Sequence, residues 1–176
     1  MLKVREIGFL KKPVGLTLLE SLSALVVVVI LTAMAVPSFM TFLQERRLTL
    51  TAENLLYALE TARSEAIKRN TSVYVSFQTG DNWCYGINTG SNCSCSTPSS
   101  CNLGAVSASA SQQISLSTTG ITSSNFQFEG SRGASNVNNA LVTLTLYGQT
   151  TSISVLIPIL GNLQLCSSMS GYGACP

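Results

Sequence analysis

A single carboxylate, Glu20, lies inside an apolar run that is long enough to cross a lipid bilayer. The run extends from Leu16 to Leu43, and as a helix it would reach roughly 40 Å. A charge in hydrocarbon costs about 2.5–3.5 kcal/mol on insertion scales, so an acidic residue in such a run indicates an ion-pairing function. Pro37 lies in the same run, where its ring is expected to kink or locally open the helix.

The other side chains capable of distinctive chemistry are six cysteines, which all follow this run: Cys84, Cys93, Cys95, Cys101, Cys166 and Cys175. An even number in an exported domain predicts disulfides. A zinc site is disfavoured because Cys93 and Cys95 have one residue between them, fewer than structural zinc sites use. A redox enzyme is disfavoured because no C-x-x-C motif is present. The spacing leaves the pairing of the first four cysteines open.

Catalytic residues are missing. The chain contains no histidine, which removes the commonest general base and the commonest metal ligand. After Asn70 the acids are Asp81 and Glu129 alone, so neither a catalytic triad nor a paired-carboxylate site can be assigned. The sequence therefore predicts a protein that is not an enzyme and that uses no cofactor or metal.

The elements that carry these residues begin with one long helix. After Leu43, apolar residues recur at spacings of four and three along one face, and they are Leu48, Ala52, Leu55, Leu59, Ala62 and Ala66. This periodicity predicts an amphipathic helix, and Glu65 and Arg69 form a favourable i,i+4 pair near its end. Asn70 is a suitable terminator. The helix is predicted from Leu16 to Arg69.

From Asn70 onward the pattern indicates strands. Alternating polar and apolar residues recur through the head, and Gly148-Gln149-Thr150 predicts a hairpin turn. The segment 88–103 is a loop rich in cysteine, serine and asparagine. The prediction is an α+β fold: an antiparallel sheet of five to seven strands whose apolar face covers the amphipathic helix, with Trp83, Tyr85, Phe126 and Phe128 in the core.

The charge distribution gives an orientation. The first 15 residues carry a net charge of +3, whereas the remainder carries −1. Lysine and arginine beside a span stay in the cytoplasm. The part that follows the span is therefore predicted to face the periplasm.

The residues Gly15-Leu16-Thr17-Leu18-Leu19-Glu20, with a basic leader before them and an apolar run after them, resemble the prepilin cleavage motif of the type IV pilin and pseudopilin superfamily. The resemblance implies cleavage between Gly15 and Leu16 by a prepilin peptidase and N-methylation of Leu16, although the family's usual first mature residue is Phe. Glu20 would become the fifth mature residue and Pro37 the twenty-second, both characteristic pilin positions.

The resemblance also implies a pilin fold with four segments: a cleaved leader (1–15), the transmembrane and polymerisation half of the helix (16–43), its amphipathic half (44–70) and a β-rich, disulfide-containing head (71–176). Within the head, Phe126-x-Phe128-x-Gly130-x-Arg132-Gly133 and the segment 161–166 resemble the FimT/FimU minor pilins and the GspH-like minor pseudopilins. The Cys166–Cys175 segment resembles the disulfide-bounded terminal loop of many pilins.

The resemblance assigns roles to two residues of the helix. Glu20 would pair with the α-amino group of Leu16 in a neighbouring subunit, and Pro37 would act as a hinge during assembly. The implied function is that of a minor pilin in the tip or initiation complex of a type IV pilus. The implied partners are prepilin peptidase, other pilins or pseudopilins, and inner-membrane lipid.

Two alternatives remain open at this level. One is a GspH-like minor pseudopilin of a type II secretion system. The other is a FimT-like DNA-binding pilin, which is disfavoured because the family's Gly-Arg-x-Arg element corresponds here to Gly161-Asn162-Leu163-Gln164, without either guanidinium.

Overall fold

The computed structural model describes residues 15, 17–108, 113–169 and 171–176, and within these it describes only the backbone of Pro37. The expected leader, apart from Gly15, and the expected first mature residue, Leu16, lie outside the described residues. The elements, in order, are α1 (Leu18–Arg69), β1 (Val73–Gln78), β2 (Cys84–Thr89), β3 (Gly104–Ser107), β4 (Ile114–Thr119), β5 (Asn125–Phe128), β6 (Ala140–Leu146), β7 (Ser152–Ile157) and β8 (Gln164–Ser167). Short 3₁₀ turns occur at Pro98–Ser100 and Thr122–Ser124.

The chain divides into two units, one that ends at Met40 and one that comprises Thr41–Pro176. In the first unit, α1 continues without a break past position 37. Every described side chain from Leu18 to Met40 is exposed. Among the described residues, α1 is the one helix long and apolar enough to span a membrane, with a mean hydropathy of 2.4 over its most apolar window. Its apolar surface is therefore available to lipid or to other helices.

In the second unit, the remaining part of α1 packs on the core with the predicted stripe of residues. Leu48, Ala52, Leu55, Leu59, Ala62 and Ala66 are all between 0 and 1% exposed. The predicted aromatic residues are buried with them, and Phe126 meets Phe128 edge to face at 5.1 Å between ring centroids. The periodicity of the sequence thus identified the buried face of the helix correctly.

The described part of the head contains eight strands in two four-stranded antiparallel sheets. Their strand orders are β3-β2-β1-β5 (sheet A) and β4-β6-β7-β8 (sheet B). The sheets meet where Gly80 and Leu116 exchange two backbone hydrogen bonds of 2.8 and 3.1 Å, and where the Trp83 indole donates to the Ile114 carbonyl at 2.9 Å. The predicted hairpin is present as β6 and β7, with the Gln149 amide donating to the Leu146 carbonyl.

This arrangement differs from the single sheet of five to seven strands expected from the sequence. The strand that the pattern missed is β3, whose residues Gly104-Ala105-Val106-Ser107 are small and mostly exposed. An edge strand with one neighbour buries little, so it shows no apolar alternation. Period-two alternation also cannot show whether two strands share a sheet, because that depends on long-range pairing.

The end of α1 follows from one residue. Asn70 adopts a left-handed conformation with φ of 49°, which ends the helix at Arg69. The Asn70 amide donates to the Ile67 carbonyl and the Thr71 amide donates to the Ala66 carbonyl, both at 3.2 Å. These two bonds form a Schellman motif, so the carbonyls of the last turn are satisfied where the chain turns into β1.

Candidate functional site

The first turn of α1 places the Glu20 carboxylate. Thr17 precedes the helix, and its hydroxyl accepts a hydrogen bond of 3.2 Å from the Glu20 amide. This is an N-cap, and Thr17 and Glu20 have the spacing of a capping box. Glu20 is exposed, and among the described residues it forms no salt bridge. The carboxylate is therefore available for a partner outside this chain.

All six cysteines form disulfides, which are Cys84–Cys95, Cys93–Cys101 and Cys166–Cys175, with Cα–Cα distances of 5.7, 5.3 and 5.0 Å. Because every cysteine sulfur is bonded to another cysteine sulfur, none can act as a zinc ligand or as a reactive thiol. The first two bridges interlock, since Cys93 lies inside the loop that Cys84 and Cys95 close. Together they fold the segment 90–102, which we call the crosslinked loop, against sheet A.

Gly86 is the position on sheet A that accommodates this loop. Its neighbours Tyr85 and Ile87 are buried in the core, so a side chain at Gly86 would point to the opposite face. A Cβ there would meet the sulfur of Cys101, would lie 2.9 Å from the Cys93 sulfur, and would lie 3.2 Å from the Cys95 Cβ. Only glycine allows both disulfides to lie directly on the strand.

Asparagine side chains hold the rest of the crosslinked loop in place. The Asn88 amide group donates to the Ser91 carbonyl, and its side-chain oxygen accepts from the Asn102 backbone, both at 3.0 Å. In return, the Asn102 side-chain oxygen accepts from the Thr89 backbone at 3.0 Å. The polar loop is thus fixed by covalent and hydrogen-bonded contacts, although it contributes little apolar surface.

At the C-terminus, the Cys166–Cys175 bridge closes a smaller loop beside the edge strand β8. The Ser167 amide donates to the Gly173 carbonyl at 3.0 Å, which pairs the returning chain with that edge. Covering an edge strand in this way removes a site of non-specific pairing.

Arg63, on α1, connects loops from both sheets. Its Nε donates to the Gly133 carbonyl at 3.0 Å, and its Nη2 donates to the Leu160 carbonyl at 3.3 Å. Gly133 follows β5 and Gly161 follows β7, both with positive φ, of 65° and 71°. A Cβ at Gly133 would lie 3.0 Å from the Arg63 Nε, and one at Gly161 would lie 2.8 Å from it.

Gly130 has a related function at the end of α1. A Cβ at this position would collide with the backbone of Asn70 and Thr71. The three glycines of the late motifs, Gly130, Gly133 and Gly161, thus allow the head to approach the last turns of the helix. The sequence motifs contained these glycines, but nothing in them indicated Arg63 as their partner.

After Met40, most of the charged residues lie on α1. Glu65 accepts hydrogen bonds from Arg69 at 2.6 Å and from Lys68 at 3.4 Å. The Arg69 guanidinium is the main cause that lowers the pKa of Glu65 from its usual value. By contrast, the sheets and their loops carry only Asp81, Glu129 and Arg132.

The two positions that correspond to the arginines of the Gly-Arg-x-Arg element face solvent and are uncharged. Asn162 and Gln164 are exposed, and Leu163 between them is buried. Side chains at these two positions could contact phosphates, but amides do not release counterions as guanidinium groups do.

Comparison with known proteins adds independent findings. The family model for the type II transport protein GspH matches residues 51–161, a span that covers well over half of the chain. No curated protein matches the chain significantly.

A solved structure is also similar, the crystal structure of the type IV minor pilin FimU of Pseudomonas aeruginosa (strain PAO1). It aligns with a TM-score of 0.55 at 17% sequence identity and covers 74% of this chain and 99% of that one. The likeness shows a common fold: one long helix packed on antiparallel strands.

Proposed function

The chain belongs to the GspH family of pilin-like proteins, and from this premise we propose that it is a minor pilin of a type IV pilus, acting in the tip or initiation complex. As a member of this family it is a structural protein and not an enzyme. The observation that carries the proposal is the combination of a GspH-type head with an exposed apolar half-helix whose first turn contains Glu20.

We further propose that prepilin peptidase cuts between Gly15 and Leu16 and methylates the new terminus. Before assembly, the apolar half of α1 lies in the inner membrane, with the head in the periplasm. The Thr17 cap supports this proposal because it starts α1 directly after the expected cleavage position and places Glu20 in the first helical turn.

In the assembled filament, the Glu20 carboxylate pairs with the α-amino group at Leu16 of a neighbouring subunit. Neither charge is stable alone in an apolar surrounding, so pairing neutralises both and sets the axial position of one subunit against the next. Pro37 acts as the hinge that lets α1 open locally during assembly, because it removes one helical hydrogen bond.

Replacing Glu20 tests this role in assembly. We expect Glu20→Ala to insert into the membrane normally and to be recovered from the filament fraction at less than about one tenth of the wild-type amount, because its partner charge is left unpaired. Glu53→Ala, which removes an exposed charge from the head half of α1, is the matched control and should assemble normally. Equal recovery of all three chains would disprove the pairing.

A GspH-like pseudopilin of a type II secretion system is the second candidate, and it is favoured by the family model. The cysteine-rich head favours the pilus instead. Deleting the gene and measuring surface motility, protein secretion and DNA uptake separates the candidates. We expect loss of motility with secretion retained, whereas loss of secretion alone would indicate the pseudopilus.

A further inference from the structure

The turn between β7 and β8 exposes two large aliphatic side chains. The Gly161 amide donates to the Pro158 carbonyl at 2.8 Å, which makes Ile159 and Leu160 the two central residues of the turn. Ile159 is 53% exposed and Leu160 is 75% exposed. Central turn positions normally hold glycine, proline, asparagine, aspartate or serine, so the residues here do not serve the turn itself.

Three hydrogen bonds from two residues, Ser135 and Arg63, hold this turn. The Ser135 backbone amide donates a hydrogen bond to the Ile159 carbonyl, and the Ser135 hydroxyl donates one to the Pro158 carbonyl, both at 2.9 Å. Arg63 donates to the Leu160 carbonyl from α1. Each carbonyl from Pro158 to Leu160 therefore has a partner, and little conformational freedom is lost when the exposed side chains contact another molecule.

The surroundings have the arrangement of an interaction surface. A groove of about 540 Å³ runs along α1 beside the turn, lined by Glu60, Arg63, Ser64, Ile67 and Lys68. Ile67 adds a third aliphatic side chain, 47% exposed. The chain carries no charged residue after Arg132, so the turn is neutral and the charged side chains stand on the neighbouring helix. An apolar centre beside a polar rim is typical of protein–protein interfaces.

We propose that the Ile159–Leu160 turn is the docking knob of this head and that it inserts into an apolar pocket on the head of a neighbouring pilin-type subunit. The inference rests on the proposed function, which puts other pilin heads next to this one. Subunits tethered through their helices have a high effective concentration, so a contact of two or three side chains can fix their register although it would be weak in free solution.

The same fold shows what such a pocket looks like. On the other flank of α1, a pocket of about 270 Å³ is formed by Ala62, Ile87 and Leu103, with Thr61, Glu65 and Arg69 around them. A cavity of about 150 Å³ already holds benzene, so a pocket of this kind is large enough for an aliphatic side chain. A knob on one face that meets a pocket on a different face makes a heterologous contact, which can repeat along an open helical assembly when it does not close into a ring.

A photo-crosslinking experiment tests the knob in the intact chain. Benzoylphenylalanine is placed at Asn162, an exposed residue next to the turn, or at Tyr147, an exposed residue (68%) in the β6–β7 turn. After irradiation of cells that assemble the filament, the crosslinked peptides are identified by mass spectrometry. We expect position 162 to crosslink to the head of a pilin-type subunit about tenfold more than position 147, and the double variant Ile159→Ser/Leu160→Ser to lose this crosslink.

The double variant should keep its melting temperature, because both side chains are exposed, and Tyr147→Ser serves as its control. Crosslinking from position 162 to a protein of another class, or at the level of position 147, would overturn the knob and leave the proposed function intact if the chain still enters filaments. Absence of the chain from the filament fraction would overturn both.

Discussion

At the scale of single residues, glycine and arginine explain how a polar, weakly charged head is held together. Gly86 leaves space for two disulfides on β2, while Gly133 and Gly161 leave space for Arg63 to reach two loops. At each of these glycines, the absence of a side chain leaves space for a disulfide or for the Arg63 side chain. These positions are therefore expected to be more sensitive to substitution than their small size suggests.

Gly86→Ala should weaken the head, because its methyl group would occupy the position of the Cys101 sulfur. We expect the free energy of unfolding, measured by urea denaturation of the chain in detergent, to fall by about 1–3 kcal/mol. Gly173→Ala is the matched control because a Cβ there meets no atom within 4 Å. Equal stability of the two variants would show that the crosslinked loop is not packed on β2.

Arg63→Ala should destabilise the head by about 1–2 kcal/mol, because the variant loses the guanidinium that donates to the carbonyls of Gly133 and Leu160. Arg132→Ala removes the same side chain from an exposed position and should change stability by less than about 0.5 kcal/mol. Thermal and urea unfolding of the two variants distinguishes the loss of these two hydrogen bonds from a general effect of removing a charge. If Arg63→Ala lowered the free energy of unfolding no more than Arg132→Ala does, the Arg63 hydrogen bonds would not be holding the two loops.

At the scale of elements, α1 combines two functions that its sequence separates clearly. Its first part exposes an apolar surface, and its second part buries one stripe. The transition to β1 depends on the left-handed conformation of Asn70 and on the close approach of Gly130 to this turn. Asn70 ends the helix, and Gly130 allows a distant loop to pack against the turn that follows.

Replacing Asn70 tests this termination. Asn70→Ala places a Cβ without a compensating polar group in the left-handed region and should lower the free energy of unfolding by about 1 kcal/mol. Asn70→Gly should leave stability unchanged or raise it slightly, because glycine adopts positive φ without strain. If the alanine variant were as stable as the glycine variant, Asn70 would not be setting the end of the helix.

The elements also show what could be predicted from the sequence. The helix, its buried stripe, its end at Arg69 and the β6–β7 hairpin all follow from local periodicity and turn residues. The division into two sheets and the strand β3 did not follow, because strand partners are set by contacts between distant residues. The same limit applies to the contacts of the head. The Cys166–Cys175 bridge was expected from the resemblance, but the pairing of the first four cysteines and the position of Gly86 beneath them required the fold.

At the scale of the whole molecule, charge is distributed unevenly. The sheets and their loops carry three charged residues, and the remaining charges after Gly15 lie on α1. With so few charges, the sheets offer little electrostatic attraction to a polyanion.

Introducing arginines tests whether this neutrality prevents DNA binding. The double variant Asn162→Arg/Gln164→Arg adds two guanidinium groups at exposed positions, and we expect it to bind duplex DNA measurably at low salt and to lose binding as salt rises. The wild-type chain and the charge-matched variant Asn54→Arg/Thr61→Arg, altered on exposed positions of α1, should not bind. Micromolar binding by the wild-type chain would contradict a purely structural role.

The central claim is that this chain is processed and assembled as a pilin. The measurement that tests it most directly is mass spectrometry of the N-terminal peptide from chain recovered in isolated filaments. The predicted result is a peptide that begins at Leu16 and carries one N-methyl group, present only in cells with an active prepilin peptidase. A chain that still begins at Met1, or one that has lost the apolar half of α1 with Glu20, would contradict the account.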